Sequence, residues 1–509
     1  MAHEKSVEVD QIDLASRQRR QFLRGAGALA VASLALPLTA CGEDPDEPIP
    51  PQPPAPLPPP PPPPVTTYLV PKEGASHAAT WMAYGASVSA WGNFNGTPEE
   101  RDMSNSRLLA REDLMRIAAQ LSRFEDVTML VANNTDLAEA NRLLDKVFAG
   151  TGNFNSWNPS TSIGVDGKIF SNGRALPAMN RNRIELLIKT DNASNRNQGV
   201  NDLWTRDTAP VFSKGSDGKI YGIDLNFNGW GQEKLRTDLS GWVKDAQKAA
   251  NGVQDQDISG DKTIAAFINS TLSFPKLATW ITMEGGAIEL NGRGMAVVAE
   301  SCIINNNRNP GKSKADFEAE IKRIMGVEKV IWIPGIKAAE ITDGHVDFYA
   351  RFYNDNSILF NWDGGLMPDK INKSIDAKNK DALLAYQAQV ASWSAADKLK
   401  YLGAADAKLN LLELATPKTS VLSAIAARNP GISMTERKSF NDTFAAGYVG
   451  YYEANNCILM GQFGDAVADK KAYDILQAAY PERTVIQIAT DGVANGGGTI
   501  HCATQQQIV

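Results

Sequence analysis

Histidine and cysteine are scarce in this sequence, and no long apolar run follows its N-terminal part. The 509 residues include only 4 His and 4 Cys. Because zinc sites are built mainly from these two side chains, so few and such widely spaced histidines argue against a metal site. The net charge of -7 argues against a nucleic acid partner. With 43% hydrophobic residues, we expect a soluble globular body with a sizeable core.

The N-terminal part has the pattern of an export segment. Arg19 and Arg20 precede an apolar stretch over residues 26–38, which at 13 residues is too short to span a bilayer as a helix. This pattern resembles a twin-arginine export signal, and its last residues, 38–41, are similar to a lipobox. We expect residues 1–41 to be a signal whose Cys41 is acylated, so that the protein is lipid-anchored at the periplasmic face of a membrane. The alternative is a short membrane anchor.

A proline-rich linker, residues 42–65, follows the signal. Residues 43–64 hold 14 of the 27 prolines in the chain. Such a run forms neither helix nor sheet and extends as polyproline II at ~3.1 Å per residue, which gives a semi-rigid stalk of roughly 60 to 70 Å. The linker would hold the globular domain, residues 66–509, clear of a membrane.

Three cysteines remain when Cys41 is assigned to the lipid, an odd number for a disulfide framework. Cys302 and Cys457 lie in apolar sequences typical of buried strands, where a thiol is a core residue. Cys502 instead follows the glycines at 496–498, which allow the backbone to present a side chain at close quarters. By elimination, Cys502 is the candidate reactive thiol.

Two further segments supply the other groups of a candidate site. Asp207 ends the sequence Trp-Thr-Arg-Asp, and His345 and Asp347 alternate, so that both face one side if the backbone is extended. A thiol, an imidazole and two carboxylates are the parts needed to attack a carbon atom inside a bound cation. Each has a structural alternative, because Asp207 can form a surface salt bridge with Arg206 and His345 can be a core histidine.

Helices alternate with strands in the body of the chain. Apolar residues at helical spacing predict a helix over 316–325, followed by a strand over 330–333. The same pattern predicts a helix over 469–480 and a strand over 484–488. The fold class is therefore α/β. No repeat of fixed period is visible, so periodicity does not distinguish a single-layer sheet, a barrel and a propeller.

Several motifs resemble those of the agmatine deiminases and bacterial peptidylarginine deiminases, a family within the guanidine-modifying (pentein) superfamily. The motifs follow the family order over most of residues 66–509. They are His77, Trp81-Met82-Ala83 and the segments 204–210, 227–231, 284–286, 305–310, 344–352, 462–465 and 496–507. The resemblance implies a five-bladed α/β propeller of ββαβ-type units, with the site in its central channel.

The resemblance also implies roles for individual residues and no cofactor or metal. Cys502 would be the nucleophile and His345 the general acid and base. Asp207 and Asp347 would hold the guanidinium, and Glu284, which as an alternative is a turn residue, would hold His345. Substrate-binding positions would be Trp204, Arg206, Gly497 and Gly498. His77 and His501 receive no role, and the oligomeric state is not predicted.

The function implied is hydrolysis of a guanidinium group, from agmatine to N-carbamoylputrescine and ammonia, through a covalent Cys intermediate. The alternative substrates are peptidylarginine and free arginine outside the cytoplasm, because an exported enzyme meets these compounds. A non-catalytic lipoprotein that binds guanidinium compounds would not need Cys502 and His345. A thiol protease would not need two carboxylates for a substrate cation.

Two departures from the family pattern bear on substrate choice. Residues 150–183 are rich in Gly, Asn and Ser and predict an added loop over the entrance. Gly450 stands where family members often have Asn, in a Ser-Tyr-x-Asn-Phe-Tyr motif. This difference leaves recognition of the distal end of the substrate open.

Overall fold

Small mixed sheets with adjoining helices form most of the regular structure of the protein. The computed structural model describes residues 65–91, 98–150, 161–163, 169–171, 174–190, 199–231, 258–335, 337, 342–362, 370–417 and 445–509. The predicted export motif at Arg19 and Arg20, the lipidation candidate Cys41, the proline run and part of the predicted loop over 150–183 lie outside these residues. No helix in the described ranges is long and apolar enough to cross a membrane.

The strands are short. In chain order they are β1 (Tyr68–Leu69), β2 (His77–Ala83), β3 (Asp126–Val131), β4 (Thr161–Ile163), β5 (Ile169–Ser171), β6 (Arg174–Ala175), β7 (Ile184–Ile188), β8 (Val211–Gly215), β9 (Ile220–Ile223), β10 (Ile288–Leu290), β11 (Met295–Ala299), β12 (Lys329–Ile333), β13 (Ala350–Asn354), β14 (Ser357–Asn361), β15 (Asn410–Leu414), β16 (Tyr452–Ala454), β17 (Cys457–Gln462), β18 (Thr484–Ala489) and β19 (Gln505–Ile508).

The helices vary more in length. They are α1 (Val88–Trp91), α2 (Pro98–Leu121), α3 (Asn134–Phe148), α4 (Thr205–Thr208), α5 (Ile264–Thr271), α6 (Glu300–Ile303), α7 (Lys314–Met325), α8 (Lys370–Ala391), α9 (Ala395–Leu402), α10 (Ala466–Ala479) and α11 (Asp491–Asn495). Short 3-10 helices lie at Arg181–Arg183, Asp261–Thr263, Gly285–Ala287, Val346–Phe348 and Tyr448–Gly450.

One arrangement of strands recurs in five sheets. A strand pairs antiparallel with the next strand, a helix follows, and the chain returns as a strand parallel to the second. The sheets β10-β11-β12, β13-β14-β15 and β16-β17-β18 follow this order, and β19-β2-β3 follows it with β7 added in parallel. In the fifth sheet, β8 pairs with β9, and a parallel bridge joins Gly222 to Lys276 after α5. The predicted α/β class is confirmed.

Helix α7 shows why the sequence forms these units. Ser313 caps its first turn in a reciprocal capping box. Phe317, Ile321 and Ile324 recur at helical spacing, and all three are buried in the core that α7 shares with β10, β11 and β12. The helix ends at Gly326, whose φ of 71° is the left-handed conformation that glycine adopts most readily.

Local pattern therefore located these elements well. The helix predicted over 316–325 is α7, and the strand predicted over 330–333 is β12. The helix and strand predicted over 469–480 and 484–488 are α10 and β18. All four predictions are confirmed to within a few residues.

The strand expected at Cys302 was wrong, and the extended backbone considered for His345 and Asp347 is not present. Cys302 is buried as expected, but β11 ends at Ala299 and Cys302 lies in the short helix α6. His345 and Asp347 are not in a strand either, because Asp347 belongs to the 3-10 helix Val346–Phe348 and His345 directly precedes it. In both places a strand-like composition is overridden by a tight turn.

Five short turns occupy equivalent positions in the five units. Helix α4 precedes β8, and the 3-10 helices Gly285–Ala287, Val346–Phe348 and Tyr448–Gly450 precede β10, β13 and β16. A turn at residues 500–503 precedes β19. Each turn leads into the first strand of its sheet. Side chains on the five turns therefore occupy equivalent positions, although they come from distant parts of the sequence.

Candidate active site

The five turns contact one another, and these contacts assemble the candidate site. The backbone N–H of Arg206 donates to the Cys502 carbonyl oxygen at 3.0 Å, and that of His501 donates to the Gly450 carbonyl oxygen at 3.1 Å. An added Cβ at Gly285 would lie only 2.3 Å from the Arg206 carbonyl oxygen. The turn at Gly285–Ala287 also contacts Val346–Phe348. The candidate residues therefore come from neighbouring turns.

Cys502 is held by aromatic packing against the preceding glycines. An added Cβ would lie 2.1 Å from the Trp91 ring at Gly496 and 2.2 Å from the Trp204 ring at Gly498, so both positions exclude side chains. Trp91 and Trp204 stack with ring centroids 6.4 Å apart. Trp204, expected to bind substrate, is thus in contact with the segment that carries the thiol. Gly497 has a φ of 91°, in the left-handed region.

Thr499 and Gly450 form a complementary pair beside the thiol. The Thr499 hydroxyl lies 3.4 Å from Cys502 Sγ. An added Cβ at Gly450 would lie 2.1 Å from Thr499 Oγ1, so the Thr499 side chain occupies the space that a side chain at position 450 would need. A larger side chain such as Asn at position 450 is therefore incompatible with Thr499 as placed.

Asp207 is a buried carboxylate with one satisfied oxygen. Trp230 Nε1 donates a 2.9 Å hydrogen bond to Asp207 Oδ2. Among the described residues, Asp207 Oδ1 has no hydrogen-bond partner, although His345 Nδ1 lies 3.7 Å away. Burial raises the pKa of Asp207 to about 6 against the opposing charge of His345.

Asp347 repeats this pattern closer to the thiol. Its Oδ2 lies 3.6 Å from Cys502 Sγ and 2.7 Å from His501 Nδ1. Its Oδ1 has no hydrogen-bond partner within the described part of the chain. Burial raises the pKa of Asp347, but the hydrogen bond and charge of His501 outweigh burial, and the pKa lies below its ordinary value.

Gly286 leaves the space between these groups open. An added Cβ there would lie 2.7 Å from His345 Nδ1, 3.0 Å from Asp347 Oδ2 and 3.1 Å from Asp207 Oδ1. Three polar atoms from three turns therefore surround one point. Sequence reasoning used the Glu-Gly-Gly motif only for its carboxylate and missed this role of Gly286.

His345 is held from the opposite side by Glu284. His345 Nε2 lies 3.0 Å from Glu284 Oε2, as the family resemblance implied. Arg308 Nε donates to both oxygens of Glu284 at 3.0 Å, and its Nη1 donates to Asp343 at 3.1 Å. Burial lowers the pKa of His345, but Asp207 and Glu284 outweigh burial and raise it to about 9. At neutral pH the imidazole is therefore protonated and can donate a proton.

We define the thiol cluster as Asp207, Glu284, His345, Asp347 and Cys502, in which the charges of Asp347 and Asp207 act on the sulfur. Burial raises the pKa of Cys502 well above its ordinary value, and the carboxylates of Asp347 and Asp207 raise it further. A cation between the two carboxylates would reverse this effect. The cluster is thus arranged so that a bound cation promotes formation of the thiolate.

Behind the thiol cluster lies a second group of buried charges, the Glu73 cluster, made up of Glu73, Arg206, Arg351 and His501. Glu73 Oε1 lies 2.9 Å from Arg351, and its Oε2 lies 3.1 Å from Arg206 and 2.7 Å from His501 Nε2. The Arg206 guanidinium, expected to bind substrate, therefore binds Glu73, and Arg206 supports Cys502 through its backbone instead. Sequence reasoning missed Glu73, which no local pattern marks.

His77 has structural contacts at the start of β2. His77 Nδ1 lies 3.3 Å from Glu125 and its Nε2 lies 2.5 Å from the Glu73 carbonyl oxygen, so His77 fixes the start of β2. In the residues that the structure describes, no group of three or more His, Cys, Asp or Glu side chains has a metal-binding arrangement.

Comparison with known proteins places this geometry in a family. The sequence model of the Porphyromonas-type peptidyl-arginine deiminases matches residues 69–507, most of the chain. The chain belongs to this family. Agmatine deiminases and peptidyl-arginine deiminases are hydrolases that act on C–N bonds of linear amidines, and this family member is an enzyme of that type.

Individual relatives of this deiminase family member agree with the match. The agmatine deiminase of Stutzerimonas stutzeri is 26% identical over 446 residues, covering 86% of this chain and 95% of the relative. That of Medicago truncatula is 30% identical over 321 residues, covering 60% and 76%. The structure of the agmatine deiminase of Enterococcus faecalis covers 87% of this chain and 96% of its own, with a TM-score of 0.57 and 22% identity, and shows a shared fold.

Proposed function

We propose that this protein hydrolyses the guanidinium group of a small substrate to a ureido group and ammonia through a covalent intermediate on Cys502. The observation that carries the proposal is a pair of buried carboxylate oxygens, Asp207 Oδ1 and Asp347 Oδ1, that have no hydrogen-bond partner among the described residues. They lie in a cluster with a thiol and a protonated imidazole. A planar guanidinium is the cation that two carboxylates bind through forked hydrogen bonds.

The first half of the reaction forms the covalent bond. The substrate cation binds between Asp207 and Asp347, and its charge favours loss of the Cys502 proton. The thiolate attacks the central carbon of the guanidinium and gives a neutral tetrahedral adduct. Protonated His345 then donates its proton to one nitrogen, which leaves as ammonia, and a positively charged amidino thioether remains on Cys502.

The second half releases the product. Neutral His345, held by Glu284, removes a proton from water, and the hydroxide attacks the amidino carbon. The new adduct collapses, the C–S bond breaks with its electron pair returning to sulfur, and the oxygen gives its proton to the sulfur, which restores the Cys502 thiol. The products are a urea and ammonia with one released proton, so charge and atoms balance against one guanidinium and one water.

Agmatine is the proposed substrate, with N-carbamoylputrescine as the product. The support is that the relatives with the alignments described above are named agmatine deiminases, and a structure of the agmatine deiminase of C. jejuni carries bound substrate. Peptidylarginine is a second candidate, which the family description and the export-type N-terminus favour. Free arginine is the third.

Assays of ammonia and ureido product with agmatine, arginine and an internal peptidylarginine test this proposal. We expect turnover of at least one compound, and a loss of about 10⁴-fold or more in the Cys502→Ser variant, because serine is a far weaker nucleophile here. Near-normal turnover by Cys502→Ser would overturn the covalent mechanism. Binding without turnover in the wild type would favour the non-catalytic guanidinium-binding protein.

We further propose that the five ββαβ units are the blades of a closed five-bladed propeller. Support comes from the contacts between successive turns, including the Arg206 to Cys502 and His501 to Gly450 hydrogen bonds. In this arrangement the thiol cluster would line the central channel.

Export and lipid anchoring complete the proposal for residues 1–65. The support is the sequence pattern around Arg19, Arg20 and Cys41. Lys substitutions at Arg19 and Arg20 should retain folded, active enzyme inside the cell, and Cys41→Ala should release the enzyme from the membrane without loss of activity. An unprocessed N-terminus in the mature protein would contradict this proposal.

A further inference from the structure

His501 contacts two carboxylates, one in each cluster. Its Nδ1 lies 2.7 Å from Asp347 Oδ2, and its Nε2 lies 2.7 Å from Glu73 Oε2. A neutral imidazole has a single N–H, so only the protonated ring can donate to both oxygens. His501 is also 2% exposed, which isolates these contacts from bulk water.

The Glu73 side of this bridge is rigidly held. Glu73 Oε1 accepts a 2.8 Å hydrogen bond from the backbone N–H of Glu453 and pairs with Arg351 at 2.9 Å. Arg206 donates to Glu73 Oε2 at 3.1 Å, and its Nε donates to the His501 carbonyl oxygen at 3.4 Å. Glu73 therefore holds the His501 imidazole in a fixed orientation toward Asp347.

We infer that His501 is a positioning residue that fixes the Asp347 carboxylate beside the thiol, with Oδ2 facing the space at Gly286, and so orients this carboxylate for the guanidinium of the substrate. This inference rests on the proposed function. Asp347 Oδ2 is occupied by His501, whereas Oδ1 has no hydrogen-bond partner among the residues that the structure describes. The ring thus fixes Oδ2 beside the sulfur, and Oδ1 remains available for a further hydrogen bond. The charged groups that face the imidazole are Asp347, Glu73 and Arg206, with Arg351 behind Glu73.

Two substitutions at this position separate the two contacts. The amide nitrogen of Asn corresponds to Nδ1, so His501→Asn keeps a donor for Asp347 and loses the contact with Glu73. The amide nitrogen of Gln corresponds to Nε2, so His501→Gln keeps a donor for Glu73 and loses the contact with Asp347. We expect kcat/KM to fall about 10-fold in His501→Asn and about 100-fold in His501→Gln.

The pH profile separates positioning from a purely structural role. Without the hydrogen bond and charge of His501, burial raises the pKa of Asp347, so Asp347 is protonated at higher pH. In full-length His501→Gln, protonation of Asp347 should therefore add to that of Asp207 and move the acid limb of kcat/KM to higher pH, with a smaller movement in His501→Asn. Substrate affinity measured in the Cys502→Ser background should follow the same order.

His77→Gln is the matched control, because His77 is also buried and also paired with a carboxylate, Glu125. It should lower Tm and leave the acid limb in place. Equal losses in the two His501 variants with an unmoved acid limb would overturn the inference, as would an equal shift in His77→Gln. If wild-type protein turns over a guanidinium substrate, the proposed function stands whichever result is found. If the wild type neither binds nor hydrolyses one, both fall.

Discussion

Asp207 in the thiol cluster and Glu73 in the Glu73 cluster are both buried carboxylates, but their pKa values shift in opposite directions. Both oxygens of Glu73 are paired, and although burial raises its pKa, Arg351 and His501 lower it well below its ordinary value. In contrast, burial dominates at Asp207 and raises its pKa to about 6. A fully compensated carboxylate stabilises the scaffold, whereas an undercompensated one is suited to an external cation.

Removal of the Glu73 charge should destabilise the Glu73 cluster. Glu73→Gln leaves the buried guanidinium groups of Arg351 and Arg206 without their shared carboxylate, and we expect the unfolding free energy to fall by ~3 to 5 kcal/mol. Because the pKa of Glu73 is lower when folded, its contribution is present above the unfolded value of ~4.3 and is lost as pH falls through the folded pKa. Denaturant unfolding at several pH values measures both effects, and an unchanged midpoint at neutral pH would refute the prediction.

Substitution of Asp207 or Asp347 should lower activity. Asp207→Asn and Asp347→Asn each remove a charge-assisted partner of the substrate cation. We expect each to lose ~2 to 5 kcal/mol of transition-state stabilisation, measured as a lower kcat/KM. The Tm of Asp207→Asn should stay the same or rise, because the substitution removes a partly uncompensated buried charge. Unchanged kcat/KM in both variants would show that these carboxylates are structural.

The Thr499 and Gly450 pair tests how tightly the thiol is held. In Gly450→Ala the new methyl group meets Thr499 at 2.1 Å, and we expect a cost of ~1 to 3 kcal/mol, seen as lower kcat/KM. Gly447→Ala is the control, since an added Cβ there would lie 3.5 Å from the Phe348 ring, which is an ordinary van der Waals contact. Equal kinetics for the two variants would argue against a constrained Thr499.

The pH dependence of kcat/KM in the wild type should show the raised pKa of Asp207 directly. Asp207, with a pKa of about 6, must be ionised to bind the cation, and His345, with a pKa of about 9, must be protonated to release ammonia. The kcat/KM profile should therefore fall about tenfold per pH unit below pH 6 and above pH 9. In Asp207→Asn the limb near pH 6 should disappear. A wild-type profile that is flat through pH 6 would contradict this assignment.

The sequence predicted individual helices and strands, because the signals for them lie within short stretches of the chain. Helix α7 is specified by apolar spacing, by its cap at Ser313 and by Gly326, all within a short stretch. The candidate site residues came from family motifs, and the structure brings Cys502, His345 and Asp347 together through turns that no local pattern predicted. Glu73 could not be found in this way, because its partners Arg206 and Arg351 lie far along the chain and meet it only through sheet packing. For His501, proximity to Cys502 was the one available signal.

Rapid acid quench of the enzyme during turnover, followed by peptide mass spectrometry, tests the central claim most directly. The thiol cluster should yield an amidino adduct on Cys502 with the substrate that releases ammonia, and the adduct should be absent in Cys502→Ser and reduced in Asp347→Asn. Ammonia release without any adduct on Cys502, or with an adduct on another residue, would contradict the account.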